Sequence, residues 1–282
     1  MRRHELSDAE GEFVRPLLPV QSRGRKRLDD RRVLNGIVWK FRTGVAWRDV
    51  PERYGSWATL HTRFRRWARD WTFERMLRSA QAKADAAGDI DWLVSVDSTV
   101  VRAHQHAAGA RKRGLCLPAL GRSRGGLTSE IHLACDGLGR PLAFTLTGGN
   151  TNDCTQFTAV MEAIRVPRTG PGRPRVRPAR VLGDKGYGSK AIRTWLRRRG
   201  IGHTIPERAD QVRNRARRGS RGGRPPCFDK DLYKQRNVVE RCFNRFNRFN
   251  RLKQWRGIAT RYDKTAESYQ AAVTLASLLI RA

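Results

Sequence analysis

Two short apolar runs, each followed directly by an aspartate, most strongly constrain how this chain folds. Residues 92–96 precede Asp97, and residues 179–183 precede Asp184. Apolar runs of this length that contain valine and leucine are typical of buried strands. Each run therefore predicts a central strand that delivers one carboxylate at its end.

The segments around these runs predict the rest of one sheet domain. Residues 128–135 and 141–147 alternate apolar and polar side chains on either side of a glycine-containing turn, which indicates a hairpin. Residues 152–164 and 190–199 carry apolar side chains at helical spacing. The order strand, hairpin, helix, strand, helix predicts an α/β fold with a mixed sheet flanked by helices.

The N-terminal part predicts helices alone. A capping box opens the first helix, and further helices are predicted at 29–44, 56–69 and 73–87. We interpret residues 1–88 as a small all-α domain in which helix 56–69 reads DNA, as in a helix-turn-helix variant. The alternative is a helix that packs on the core and turns a basic face to solvent.

The charge of the chain predicts a polyanionic partner. Its 58 lysines and arginines against 26 acidic residues give a formal net charge of +32, which favours nucleic acid. Residues 89–282 are predicted to form the second domain, with basic loops at 107–126, 165–179 and 208–226. No apolar run predicts a membrane span or signal segment, so the expected location is cytoplasmic and nucleoid-associated.

Three carboxylates predict a site for hard cations. Glu240 joins Asp97 and Asp184 from a helical run over residues 233–250. Oxygen ligands suit Mg²⁺, and two such ions about 3.5–4 Å apart can assist displacement at phosphorus. Each acid also has a local alternative: a turn cap for Asp97, an Asx turn for Asp184, and an ion pair with Arg236 for Glu240. No P-loop signature predicts a nucleotide cofactor, and the five cysteines contain no C-x-x-C zinc pair.

An ordered set of short motifs extends this pattern along most of the chain. They are Arg31-Arg-Val-Leu-Asn-Gly-Ile37, Thr43-Gly-Val-Ala-Trp-Arg-Asp-Val-Pro51, Val96-Asp-Ser-Thr99, His104-Gln-His106, Gly121-Arg-Ser-Arg-Gly-Gly-Leu127, Gly148-Gly-Asn150, Gly183-Asp-Lys-Gly-Tyr187 and Asn237-Val-Val-Glu-Arg241. With these motifs the chain resembles the DDE transposases of bacterial insertion sequences, of the insertion-sequence family five type.

The resemblance implies an RNase H-like core behind a helical DNA-binding domain, with Asp97, Asp184 and Glu240 as catalytic and metal-binding residues. It implies two Mg²⁺ or Mn²⁺ ions, cleavage at the element ends, joining of the 3′-hydroxyl to target DNA, and a homodimer on the DNA. Tyr233 and Arg236 match the family's Tyr-x2-Arg-x3-Glu-x6-Lys signature. The residues that we expect to contact DNA are Arg63, Arg66, Arg122, Arg124, Lys185, Tyr233, Arg236 and Arg241.

The chain departs from that signature at its last position. Asn247 stands where the family has lysine, inside a Phe-Asn-Arg triplet repeated three times over residues 243–251, and Lys253 follows. If one helix continued through the repeat, Lys253 would lie roughly opposite the site, because a helix turns about 100° per residue. The departure leaves open three further functions: an inactive repressor that binds the element ends, a metal-dependent nuclease of the same fold, and an RNA-binding protein.

Overall fold

The computed structural model of the protein describes four stretches of the chain, residues 4–19, 28–108, 119–243 and 252–282. The N-terminal part is helical, as predicted. Its helices are α1 (Asp8–Val14), α2 (Asp30–Thr43), α3 (Trp57–Arg69) and α4 (Thr72–Ala86).

Local capping determines where the first helices begin and end. The Ser7 hydroxyl accepts the backbone N–H of Glu10, whose carboxylate accepts the N–H of Ser7, so the predicted capping box is confirmed. The Asp29 carboxylate caps α2, and Gly44 ends that helix at φ 78°. Glycine adopts this left-handed conformation without the strain of a side chain.

A seven-stranded mixed sheet forms the centre of the described chain. Its strands are β1 (Leu93–Ala103), β2 (Gly121–Ser123), β3 (Gly126–Cys135), β4 (Pro141–Gly148), β5 (Arg180–Gly183), β6 (Gly202–Thr204) and β7 (Thr260–Arg261). The strand order is β2-β3-β1-β5-β6, with β4 also paired to β3 and β7 to the end of β1. β3 is antiparallel to β1 and β4, whereas β5 and β6 are parallel to β1. The predicted hairpin and mixed sheet are therefore confirmed.

Helices cover both faces of the sheet. The remaining ones are α5 (Gln105–Ala108), α6 (Asp153–Ala163), α7 (Lys190–Arg198), α8 (Ala209–Arg217), α9 (Lys230–Lys234), α10 (Asn237–Phe243), α11 (Arg256–Ala259) and α12 (Ala266–Leu279). On one face, Val94 and Val96 pack with Phe157 of α6 and Leu196 of α7. On the other face, α10, α12 and the N-terminal helices share a second hydrophobic cluster with residues of β3.

The N-terminal helices do not have a core of their own. Phe64 of α3 and Met76 of α4 belong to the same hydrophobic cluster as Leu275 of α12 and Leu133 of β3. The division into 1–88 and 89–282 is thus a division of the sequence, across which packing is continuous. That the two parts act as separate domains stays a prediction.

The first central strand is longer than its apolar run indicates. β1 extends to Ala103, so Asp97 lies inside the strand and the prediction that it ends the strand is wrong. Parallel pairing with β5 stops at Val96 and Gly183, but antiparallel pairing with β3 continues to Arg102. The polar residues after Val96 remain in the strand because β3 continues to satisfy their backbone hydrogen bonds.

The helix that carries Glu240 is interrupted. The N–H of Arg236 donates to the carbonyl of Tyr233 at 3.0 Å, and the N–H of Val239 donates to that of Arg236 at 3.1 Å. These i to i+3 bonds tighten the backbone between α9 and α10. The prediction of one helix from 233 to 250 is therefore wrong at its start, and its end at 244–250 lies outside the described residues.

Two of the predicted basic loops contain regular structure. In 208–226, α8 forms although it buries none of its residues. The Gln211 side chain accepts the N–H of Arg208 at 3.1 Å, and Arg215 pairs with Glu207. In 107–126, β2 pairs with β3, while residues 109–118 lie outside the described chain. An apolar pattern could predict neither element. No helix within the described stretches is long and apolar enough to cross a membrane.

Candidate active site

Asp97 lies where two acids and one guanidinium meet. Its Oδ1 accepts the backbone N–H of Ser98 at 2.9 Å, and its Oδ2 lies 3.6 Å from a guanidinium nitrogen of Arg236. Burial is the main cause that raises the pKa of Asp97 to about 6. The charges of Asp184 and Glu240 act in the same direction, whereas the Ser98 N–H and Arg236 oppose them.

Asp184 lies beside Asp97 because of strand register. β5 and β1 pair in parallel with Val96 opposite Gly183, and each aspartate is the next residue of its chain segment. The Asp184 Oδ1 accepts the N–H of Gly186 at 2.7 Å. The Asx turn is therefore correct as local geometry, and it also fixes the carboxylate at the edge of the sheet.

Glu240 reaches the same place from α10. The Arg236 guanidinium forms an ion pair with Glu240 and also lies against Asp97, so it bridges the two acids. The Tyr233 ring centre is 5.8 Å from the Arg236 guanidinium carbon. Tyr233, Arg236 and Glu240 thus stay together despite the interruption between α9 and α10.

The donor set of this site fits divalent cations. Three carboxylates offer hard oxygen ligands, and the Arg236 guanidinium occupies the position of a cation between two of them. Within the described chain, ligand atoms that all lie within 4.8 Å of one another are found at Glu130, His132 and Asp153, and not at the three acids of this site. The sequence therefore predicted which acids converge, and the guanidinium holds two of them.

The structure separates the two arginines of α3 that were predicted to contact DNA. Arg63 is 8% exposed and pairs with Asp30 at 2.5 Å, with its guanidinium carbon 5.4 Å from the Trp67 ring centre. Its burial contradicts the prediction that it contacts DNA. Arg66 is exposed and borders a groove with Arg65 and Arg69.

The remaining basic candidates lie on the surface or outside the described side chains. Arg122 on β2, Arg124 in the turn before β3, and Lys185 directly after Asp184 are exposed. Nothing is described of the Arg241 side chain. These positions are compatible with contacts to a phosphate backbone, which stay predictions.

Sequence reasoning missed a second polar group beside this site. The Ser98 hydroxyl donates to Oε1 of Glu130 at 3.1 Å, and His132 and Asp153 lie next to Glu130. A signal was present in the sequence, because Glu130 and His132 alternate within a predicted strand. Two polar side chains on one buried face of a strand require an explanation of their own.

A mixed sheet with a carboxylate site, in a chain of net charge +32, defines a protein that acts on nucleic acid. The chain belongs to the family described as "Transposase DDE domain", which matches residues 89–280. A second family, described as "Putative transposase of IS4/5 family", matches residues 6–77. The resemblance to insertion-sequence DDE transposases is therefore confirmed.

Curated relatives agree with this assignment. The chain is 36% identical over 152 residues to the "Putative transposase for insertion sequence element IS402" of Burkholderia cepacia, which covers 54% of this chain and 62% of that protein. It is 29% identical over 154 residues to the "Putative transposase for insertion sequence element IS6501" of Brucella ovis, covering 55% and 98%. An uncharacterized protein, y4sN of Sinorhizobium fredii, is 38% identical over 109 residues, covering 38% and 83%. No solved structure matches the chain.

Membership of this family has consequences for the fold and the chemistry. The DDE domain implies an RNase H-like fold, and the mixed sheet with helices on both faces agrees with it. It also implies action on DNA with divalent metal ions. The acids that sequence reasoning selected are those that the fold brings to one rim.

Proposed function

We propose that this chain cuts DNA at the ends of an insertion sequence and joins the freed 3′-hydroxyl to target DNA. The observation that carries the proposal is the convergence of Asp97, Asp184 and Glu240 on one rim, with Arg236 between two of them. Phosphoryl transfer depends on positioning and charge neutralisation more than on covalent assistance. A rim of carboxylates in a strongly basic chain offers both.

Asp97, Asp184 and Glu240 would hold two divalent cations, Mg²⁺ or Mn²⁺. When bound, such a pair activates a water or a 3′-hydroxyl and stabilises the leaving oxygen. The Ser98 N–H keeps Oδ1 of Asp97 oriented. Once its carboxylate partners are otherwise neutralised, the Arg236 guanidinium is available to donate two hydrogen bonds to a phosphate.

The DNA would follow the exposed basic side chains near this rim. Arg122, Arg124 and Lys185 are exposed around it, and Arg66 is exposed on α3. In this proposal residues 1–88 bind the terminal repeats and residues 89–282 carry out the chemistry. Two element ends must be paired during transposition, so the active form would be a homodimer on DNA at the nucleoid.

The test is cleavage of a labelled DNA that carries the element's own ends, with Mg²⁺ or Mn²⁺. We expect metal-dependent 3′-hydroxyl ends from the unchanged protein and a loss of about 100-fold or more in Glu240→Gln. Asp231→Asn is the matched control, because its exposed carboxylate pairs only locally with Lys234. Equal cleavage by Glu240→Gln and the unchanged protein would refute the proposal.

The same assay distinguishes a transposase from a repressor and from a nuclease. Tight binding to the ends without cleavage in either metal indicates the repressor, and cleavage without strand joining indicates the nuclease. The repressor hypothesis rests on the triplet repeat, of which residues 244–251 lie outside the described chain. The described residues on either side of those positions are hydrogen-bonded to each other, from Leu252 to Cys242.

A further inference from the structure

A second group of ligand-bearing side chains lies on the opposite face of β1 and β3 from Asp97. Ser98 pairs with His132 in the antiparallel register, so both point to one face, while Asp97 points to the other. His132 Nδ1 lies 3.8 Å from a carboxylate oxygen of Asp153 in the first turn of α6. This group, Glu130, His132 and Asp153, is separate from the rim that carries Asp97.

The hydrogen bonds around His132 fix which nitrogen carries the proton. Its Nε2 lies 2.8 Å from the Thr147 hydroxyl oxygen, and that hydroxyl donates to the carbonyl of Gly148 at 3.3 Å. Because the Thr147 proton is directed to Gly148, Nε2 is the donor to Thr147. Nδ1 then carries a lone pair that points toward Asp153.

That lone pair has no hydrogen-bond partner. His132 is 1% exposed, and its Nδ1 is a buried polar atom without a donor among the described residues. Buried polar atoms are nearly always satisfied, so an orphaned one at the edge of a carboxylate pair indicates a missing ligand. The Nε2 hydrogen bond to Thr147 is the kind of outer contact that orients a metal-binding imidazole.

The two carboxylates also require a positive partner. Glu130 is 5% exposed, and its carboxyl group shares a hydrogen bond with that of Asp153. Two carboxyl groups at this distance must share either a proton or a cation. The arginines do not serve here, since no ion pair between an arginine and Glu130 or Asp153 occurs within the described chain.

We propose that Glu130, His132 and Asp153 bind one divalent transition-metal cation, of which Zn²⁺ fits best. One imidazole nitrogen with two carboxylates suits Zn²⁺, whereas Mg²⁺ takes oxygen ligands. Two ligand atoms that are each about 2.1 Å from a metal lie at most about 4.2 Å apart. The 3.8 Å between Nδ1 and the Asp153 oxygen meets this limit.

The bound ion would be structural and would support the rim that holds Asp97. It ties β3 to the start of α6, and Ser98 connects it to the other face of the sheet. The Ser98 hydroxyl donates to Glu130 while its backbone N–H donates to Asp97. The site does not depend on the proposed transposition, and its test does not use DNA.

The test measures metal binding in protein that carries Asp184→Asn and Glu240→Gln, so that the catalytic rim is disabled. Equilibrium dialysis gives the ion count per chain, and Co²⁺ in place of Zn²⁺ reports ligation through its visible absorption. We expect one retained ion that excess Mg²⁺ does not displace. Adding His132→Gln should weaken binding by about 100-fold or more.

Two further variants make the result decisive. Asp153→Asn alters a carboxylate that is 43% exposed, so this variant folds even if His132→Gln does not, and it should also lose the ion. His104→Gln is the control, since Nδ1 of His104 already accepts the N–H of His106 at 3.3 Å. An ion retained in either His132→Gln or Asp153→Asn, or no ion in the starting protein, would overturn the proposal.

Discussion

The backbone N–H of Leu252 donates to the carbonyl oxygen of Cys242 at 3.3 Å. A helix that continued through these positions would separate them by about 15 Å, at 1.5 Å per residue. The expectation of one long helix that carries Lys253 to the opposite side of the site is therefore wrong. The triplet repeat of residues 243–251 lies between two positions that are hydrogen-bonded to each other.

This hydrogen bond predicts that the repeat can be shortened without loss of the fold. Deleting 246–248, or 246–251, should change the free energy of unfolding by about 1 kcal/mol or less, because halving a loop changes its closure entropy by about 0.6 kcal/mol. Urea denaturation measures the change. Deleting 272–274 from the buried part of α12 is the length-matched control and should unfold the protein. Equal damage from both deletions would contradict the prediction.

Lys253 is predicted to serve as the last residue of the signature. Its neighbour Leu252 is bonded to Cys242 of α10, the helix that carries Glu240, and burial lowers the pKa of Lys253. We expect Lys253→Ala to reduce DNA cleavage by about 100-fold, as does loss of one charge-stabilising donor, with little effect on DNA binding. Cleavage and gel-shift assays measure the two effects. The exposed Lys264→Ala should cleave normally, and normal cleavage by both variants would exclude this role.

The two arginines of α3 should have opposite phenotypes. Arg63→Ala leaves the Asp30 carboxylate in a largely buried position without this ion pair, which should cost about 3 kcal/mol of unfolding free energy. Arg66→Ala should change stability by about 0.5 kcal/mol or less, because Arg66 is exposed. If Arg66 contacts phosphate, its loss should reduce the slope of log affinity against log salt by about 1. Thermal denaturation and salt-dependent binding test both, and a stable Arg63→Ala would contradict the assignment.

Lys40 should make stability depend on alkaline pH. The side chain is 2% exposed, with Nζ 4.0 Å from the Phe41 ring centre, and burial lowers its pKa while Asp263 opposes the change. A base whose pKa is lowered by folding adds stability above its unfolded pKa of about 10.4, and loses that stability as the pH falls toward the folded value. Lys40→Met should remove this slope and be more stable at pH 8. Urea denaturation of both proteins at pH 8 and pH 10 tests it, and parallel pH profiles would contradict it.

Local patterns were sufficient for most helices and strands and for the acids of the site. Capping residues such as Ser7 and Asp29 mark helix starts because a side chain satisfies the first N–H groups within three residues. The apolar runs before Asp97 and Asp184 marked adjacent strands, and their register brings both acids to one rim. These features depend on neighbours in sequence or on simple periodicity, so the sequence contains them directly.

The sequence by itself determined the class of fold, the excess of positive charge and the three acids of the site. Only the tertiary structure decided that Arg63 is buried, that Arg236 bridges two acids, and that Leu252 returns to Cys242. It also brought His132 of β3 to Asp153 of α6. Each of these contacts joins side or main chains from separate turns or elements. Which partner such a group meets depends on packing across the whole core, and periodicity along one segment carries no record of that packing.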